Sequence, residues 1–192
     1  MEISNKQIED YLNGKLQLPE IPTIRISDAE YVFNTMMTKL LGNSYVKLPE
    51  YNDVISWLID SNGKGLALIG NNGRGKSLIA NYIIPAILFI GYNKVVTCVE
   101  MPNITIDNLD EYKTKKFISL DDIGTESQIV EYGSRRWAFP EIMDAAEKRK
   151  NLVVFTSNED ADGIEAKYGI RTRERIRSTC RVVVFNGESQ RR

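Results

Sequence analysis

Residues 70–77 read Gly70-Asn71-Asn72-Gly73-Arg74-Gly75-Lys76-Ser77, and each fixed position in that spacing has a chemical use. The glycines let the chain curl so that successive backbone N–H groups face one point, with the positive end of a helix beneath it. That geometry cradles an anion. Lys76 can then reach β- and γ-phosphate oxygens, and the Ser77 hydroxyl can enter the shell of a Mg²⁺ ion. The apolar run Gly65–Ile69 precedes the loop, and Leu78–Ile84 follows with helical character. Strand, glycine-rich loop, helix is the setting of a Walker A motif. Gly70 to Leu78 are therefore the expected phosphate-binding set, for a nucleoside triphosphate with Mg²⁺.

A second acidic element stands 45 residues beyond Lys76, where Phe117-Ile118-Ser119-Leu120 runs into Asp121-Asp122. An apolar strand ending in two carboxylates beside a phosphate loop reads as a Walker B motif. Asp121 would join Ser77 in holding the metal, and Asp122 would polarise the attacking water. The plainer alternative is an Asp-Asp turn before Gly124. Downstream, Leu152–Thr156 leads into Ser157-Asn158. An amide there can orient a water or sense a γ-phosphate, or it can simply cap the following helix; spacing alone leaves both open.

The elements that must carry these residues follow from the apolar pattern. Strands are expected at 65–70, 94–101, 117–121, 152–157 and 181–185, each continuously apolar or β-branched as in a buried parallel sheet. Helices are expected at 4–13, 27–42, 50–61, 76–90, 134–149, 159–168 and 171–179. Ser4 with Gln7 and Ser27 with Glu30 stand in capping-box register, while Gly14 and Gly91 read as helix stops. Gln17–Pro22 reads as an extended linker because of its two prolines. Val32, Phe33, Met36, Met37, Leu40 and Leu41 follow helical spacing and are expected in the core. Pro85 and Pro140 should kink or begin helices. The alternation gives an α/β fold with ligands at the carboxyl ends of the strands.

Composition narrows the chemistry. The 192 residues suit one domain with a real core, and 42% hydrophobic with 27% charged content is ordinary for a globular chain. There is no histidine and only Cys98 and Cys180, which excludes the usual zinc sites and histidine-based triads. Cys98, inside an apolar run, reads as a small core residue. The polar N-terminus and the lack of any long apolar stretch lead to an expectation of a cytoplasmic protein with no membrane contact. Net charge is −1, yet residues 165–192 carry +5 through Lys167, Arg171, Arg173, Arg175, Arg177, Arg181, Arg191 and Arg192 against three glutamates. Such a patch can attract phosphates or be a solvated face.

Taken in order, Gly-x4-Gly-Lys-Ser, Leu-Asp-Asp-Ile-Gly-x-Glu, Thr-Ser-Asn, Tyr-Gly-x-Arg-x3-Arg-Ile and Gly-Glu-Ser-x-Arg resemble the DnaC/IstB group of AAA+ ATPases, over about residues 45–192. The resemblance implies an ASCE-type P-loop fold with a five-stranded parallel sheet in order 5-1-4-3-2 and no C-terminal helical lid. It implies ATP as the nucleotide and Asn158 as the sensor-1 residue. It aligns Arg175 with an arginine finger supplied to a neighbouring subunit, Arg171 being the competitor, and Arg191 with the sensor-2 arginine. It further implies assembly into a homo-oligomer with ATP, and a replicative helicase or a transposase as partner, with single-stranded DNA a further candidate. The expected function is a helicase-loader-like ATPase in DNA replication; a transposition helper of IstB type and an ATP-gated binding module with little hydrolysis are the alternatives. Residues 1–44 would be a helical arm for docking a partner and 45–192 the ATPase core. Only 15 residues, Pro102 to Lys116, separate the second strand from the acidic motif, so the DNA-engaging insert of the group is expected to be reduced or absent.

Overall fold

A computed structural model describes residues 3–15 and 20–190. Five parallel strands form the main sheet: β1 (Gly65–Gly70), β2 (Thr97–Glu100), β3 (Phe117–Ile123), β6 (Leu152–Ser157) and β7 (Cys180–Phe185). A separate antiparallel pair, β4 (Ile129–Glu131) and β5 (Ser134–Arg136), lies between β3 and β6 in sequence. The main sheet runs β2-β3-β6-β1-β7. With the small pair set aside, this is the expected 5-1-4-3-2 order. No helix follows β7 among the described residues.

The central strands β1 and β6 are nearly continuously apolar because both of their faces are covered. Leu66 and Leu68 of β1, with Leu152 and Val154 of β6, face one cluster. Ala67 and Ile69, with Val153 and Phe155, face the other. The first cluster is closed by α2 (Ala29–Leu41), α3 (Tyr51–Ile59) and the helical run after β1, which comprises α4 (Lys76–Leu78), a π turn at Ile79–Ile83 and α5 (Ile84–Tyr92). The second is closed by α6 (Ile106–Thr114), α7 (Ala138–Arg149), α8 (Ala161–Tyr168) and α9 (Ile170–Thr179). At the N-terminus, α1 (Asn5–Lys15) opens with the Ser4/Gln7 capping box and runs past Gly14; Asn5 to Gly14 are all exposed. Ile24, Ala29, Phe33 and Met37 are buried in the first cluster, so packing does not break at residue 45. Among the described residues no helix is long and apolar enough to cross a membrane.

Several sequence expectations need correction. The helix expected over 134–149 starts only at Ala138, because 129–136 is a hairpin. Its turn, Tyr132-Gly133, has positive φ at both residues (49° and 82°), as a two-residue type I′ loop requires. The helix around Gly91 ends instead at Asn93, whose φ of 52° lets Asn93 N–H and Lys94 N–H reach back to Phe89 and Leu88 carbonyls. Pro85 sits in the first turn of α5 just after the π turn, which absorbs its missing donor. Pro140 falls in the first turn of α7, where a backbone N–H has no helical partner. At α2 the cap position is Asp28, with no side-chain cap bond; Glu30 pairs instead with Lys47 at 2.6 Å. Cys98 is exposed on β2, at the edge of the sheet, while Cys180 is the buried thiol. Leu40 and Leu41 are 53% and 37% exposed rather than in the core. Residues 17–19 of the expected linker lie outside the described residues.

Candidate nucleotide-binding site

The phosphate loop leaves β1 at Gly70 and enters α4 at Lys76, with positive φ at Gly70, Gly73 and Gly75. A Cβ on Gly70 would come within 2.3 Å of the Phe185 carbonyl oxygen, so only glycine lets β1 pass β7 there. Above the loop lies a cavity of about 620 Å³. Its walls bring together Asn72, Gly73, Arg74, Gly75, Lys76, Ser77 and Leu78 with Asp121, Asp122 and Asn158, residues from three separate elements. Gly70 and Asn71 are the turn behind it, and both offer their carbonyls to Lys76.

Lys76 is 6% exposed, and its Nζ donates to Gly70 O (2.7 Å), Asn71 O (2.8 Å) and Asn158 Oδ1 (3.0 Å). Asn158 Nδ2 in turn donates to Asp122 Oδ1 at 2.7 Å. One amide thus joins the loop lysine to the acidic pair. The helix-cap alternative for Asn158 does not hold, because α8 is capped by Asp160, which accepts from Asp162 N–H and Gly163 N–H.

The two carboxylates share the cavity for a reason of register. Successive strand residues point to opposite faces, yet Asp121 and Asp122 both line the pocket. Pairing with β6 slips between Leu120↔Phe155 and Ile123↔Ser157, so two residues of β3 oppose Thr156 alone. This is a β-bulge, and Asp122 takes a left-handed φ of 61° within it. Thr156, 2% exposed, accepts Asp122 N–H at 2.8 Å and donates its hydroxyl to Asp121 Oδ1 at 2.6 Å. Past the bulge, buried Glu126 accepts from Gly124 N–H and from the Tyr168 hydroxyl, and Lys167 donates to the Gly124 carbonyl. Burial and this glutamate push the Tyr168 hydroxyl well above the ordinary tyrosine range.

Arg74 does not offer its side chain to the cavity in the way a phosphate ligand would. It is buried against Glu50 (2.5 Å), and it also donates to the Glu188 carbonyl (2.9 Å). The Glu50 hydrogen bond raises its pKa further. Tyr51 donates to Arg74 O, its own pKa pushed up to about 12 by burial and by Glu50. The segment after β7 is tied to the loop as well, through Asn71 Nδ2 to Gly187 O and Gln190 N–H to Gly73 O. Arg191, the expected sensor-2 residue, lies outside the described residues.

The cavity also has walls that sequence reasoning missed. Leu41, Ser44, Val46 and Tyr51 close one end, and Glu100 and Pro102 stand at the end of β2. Glu100 pairs in register with Asp121, a relation visible only once the strands are aligned.

Arg175 is held within its own chain, by Asp144 (2.9 Å) and Glu147 (2.7 Å) of α7. Part of the basic segment is engaged within the fold as well. Arg173 pairs with Asp162 and Glu165, and Arg181 donates to Asp60 O. Arg171 and Arg177 remain exposed with no hydrogen bond or ion pair to any described residue.

These features define a P-loop fold of AAA+ type. No family model and no curated protein matches the sequence. Solved structures do. The chain is similar to DnaI, with 25% identity and a TM-score of 0.50 over 67% of this chain and 73% of that one. It is similar to the DnaC helicase loader, with 16% identity and a TM-score of 0.58 over 75% of this chain and 95% of that one. AMPPCP-bound DnaA from Aquifex aeolicus matches with 13% identity and a TM-score of 0.52, over 74% of this chain and 48% of that one. The fold is DnaC-like.

Proposed function

We propose that this chain binds ATP with Mg²⁺ and hydrolyses it, as a helicase-loader-like protein of DNA replication that assembles with nucleotide. The observation that carries the reading is the Lys76–Asn158–Asp122 chain of contacts, which converges from three elements on one cavity. The similarity to DnaC, DnaI and a nucleotide-bound DnaA supports it.

In this reading Gly70 to Leu78 cradle the phosphates and Lys76 gives up its loop carbonyls for phosphate oxygens. Ser77 and Asp121, a hydroxyl and a carboxylate that both line the cavity, fit the two protein ligands that Mg²⁺ commonly takes beside phosphates and water. Bound there, the ion would neutralise charge on the phosphates. Asp122 orients and polarises the attacking water, and Asn158 fixes its position. Arg175 exchanges its α7 partners for a neighbour's nucleotide. The exposed α1 is the segment offered to a protein partner, a replicative helicase.

Turnover measured across protein concentration tests this. The expected result is ATP hydrolysis that rises more than linearly with concentration and is lost in Asp122→Asn. Tight ATP binding with assembly but no hydrolysis would instead favour a nucleotide-gated binding module. No binding of ATP at all would end both readings. Pull-down of a helicase by the whole chain, but not by one lacking residues 1–22, tests the role of α1.

A further inference from the structure

A single hydroxyl lies between the two acidic residues, and no motif assigns it a role. Thr156 is the one residue of β6 that opposes both Asp121 and Asp122 across the bulge. Its Oγ1 takes the backbone N–H of one and gives its proton to the carboxylate of the other. We propose that Thr156 is the positioning residue that sets this bulge, turning both carboxylates into one pocket and presenting Asp121 to the metal.

In an unbulged strand the two side chains would leave opposite faces of the sheet. Bringing both to one side requires an extra residue and a φ that L-residues rarely adopt, here 61° at Asp122. The extra residue shifts the register locally, and the peptide N–H of Asp122 there donates to the Thr156 hydroxyl. Having accepted that bond, the hydroxyl must point its own hydrogen elsewhere, and Asp121 Oδ1 lies at 2.6 Å. Thr156 is 2% exposed, so water cannot stand in for it. A hydroxyl donating to one carboxylate oxygen leaves the other directed at the cavity and fixes the rotamer, which is how outer partners tune metal ligands.

The inference rests on the Mg²⁺–ATP reading above, and the experiment separates the two. Fluorescent ATP binding is measured in EDTA and across a Mg²⁺ titration, with kcat and KM, for wild type, Thr156→Val and Thr156→Ser. Wild-type binding that responds to Mg²⁺ supports the reading; no nucleotide binding by wild type, or none that responds to Mg²⁺, removes it and the inference together. Given that response, Thr156→Val should keep its metal-free affinity for ATP while needing about 10–100-fold more Mg²⁺. Its kcat should fall by about the same factor, with little change in KM, and Thr156→Ser should restore both. A valine variant with the wild-type Mg²⁺ requirement overturns the inference alone. So does a serine variant as impaired as valine, since packing of the methyl group would then be the cause. Thr156→Ala, which also lacks the hydroxyl, replaces valine if that variant does not fold.

Discussion

The phosphate loop and the arginine helix are both held by ion pairs, but of different kinds. Arg74 meets Glu50 with both side chains only 7% exposed. Arg175 meets Asp144 and Glu147 with exposures of 22%, 38% and 38%. A buried charge has no substitute for its partner, whereas a half-exposed one can trade its partner for water or another anion. The first pair therefore makes a fixed brace under the loop. The second makes a latch that another anion can replace.

The largest effect expected from this contrast is catalytic. Arg175→Ala should lower turnover by at least about 10³-fold if the arginine acts on a neighbour's nucleotide, with ATP affinity nearly unchanged. Steady-state hydrolysis and nucleotide titration together decide it, and equal losses in both would sink the finger role. The same pair of measurements on Arg171→Ala sharpens the choice between the two arginines.

Next comes stability. Glu50→Ala leaves Arg74 buried and unpaired, and should cost about 3–5 kcal/mol in urea unfolding. A loss under about 1 kcal/mol would show that the brace is not a fixed one. Replacing both partners by apolar residues of similar size should recover most of the loss.

The latch should be cheap to open. Asp144→Asn is expected to cost about 1 kcal/mol or less, less still at high salt, and a larger, salt-insensitive loss would make it a second brace. Hydrogen bonding from Lys148, ahead of the charge of Arg175, holds the Asp144 carboxyl below the usual range. A carboxylate with a depressed folded-state pKa contributes stability above its unfolded pKa, and that contribution is lost as pH falls through the folded value. The wild-type acid limb should therefore be slightly steeper than that of Asp144→Asn below the ordinary aspartate range. Matching acid limbs would remove Asp144 from the account.

What could be read in the chain beforehand was local. The phosphate loop is a run of eight residues in which the glycines and the lysine stand together in one short stretch. The central strands β1 and β6 were equally plain, since burial on both faces leaves a nearly unbroken apolar record. The bulge was hidden because it is a relation between β3 and β6, and neither strand carries it alone. Thr156 looked like any β-branched strand residue. The hairpin at 129–136 escaped because its turn is Tyr-Gly rather than the stronger Asn-Gly or Asp-Gly signal. Leu41 shows the limit of periodicity: spacing placed it on the apolar face of α2, yet at the last turn that face overlooks the cavity. The basic tail was misleading in the opposite sense, since two of its arginines, Arg173 and Arg175, are answered by carboxylates of the same chain.

Gly124 is gripped at both its amide and its carbonyl, by Glu126 and Lys167, two residues after Asp122 and with Tyr168 hydrogen-bonded to the same glutamate. Tyr168 closes α8, and Gly169 alone separates it from the helix that carries Arg171 and Arg175. Any tilt of the acidic turn must drag that junction along or tear two bonds free. The acidic turn and the arginine helix are therefore geared together, so that a tug on one is felt at the other.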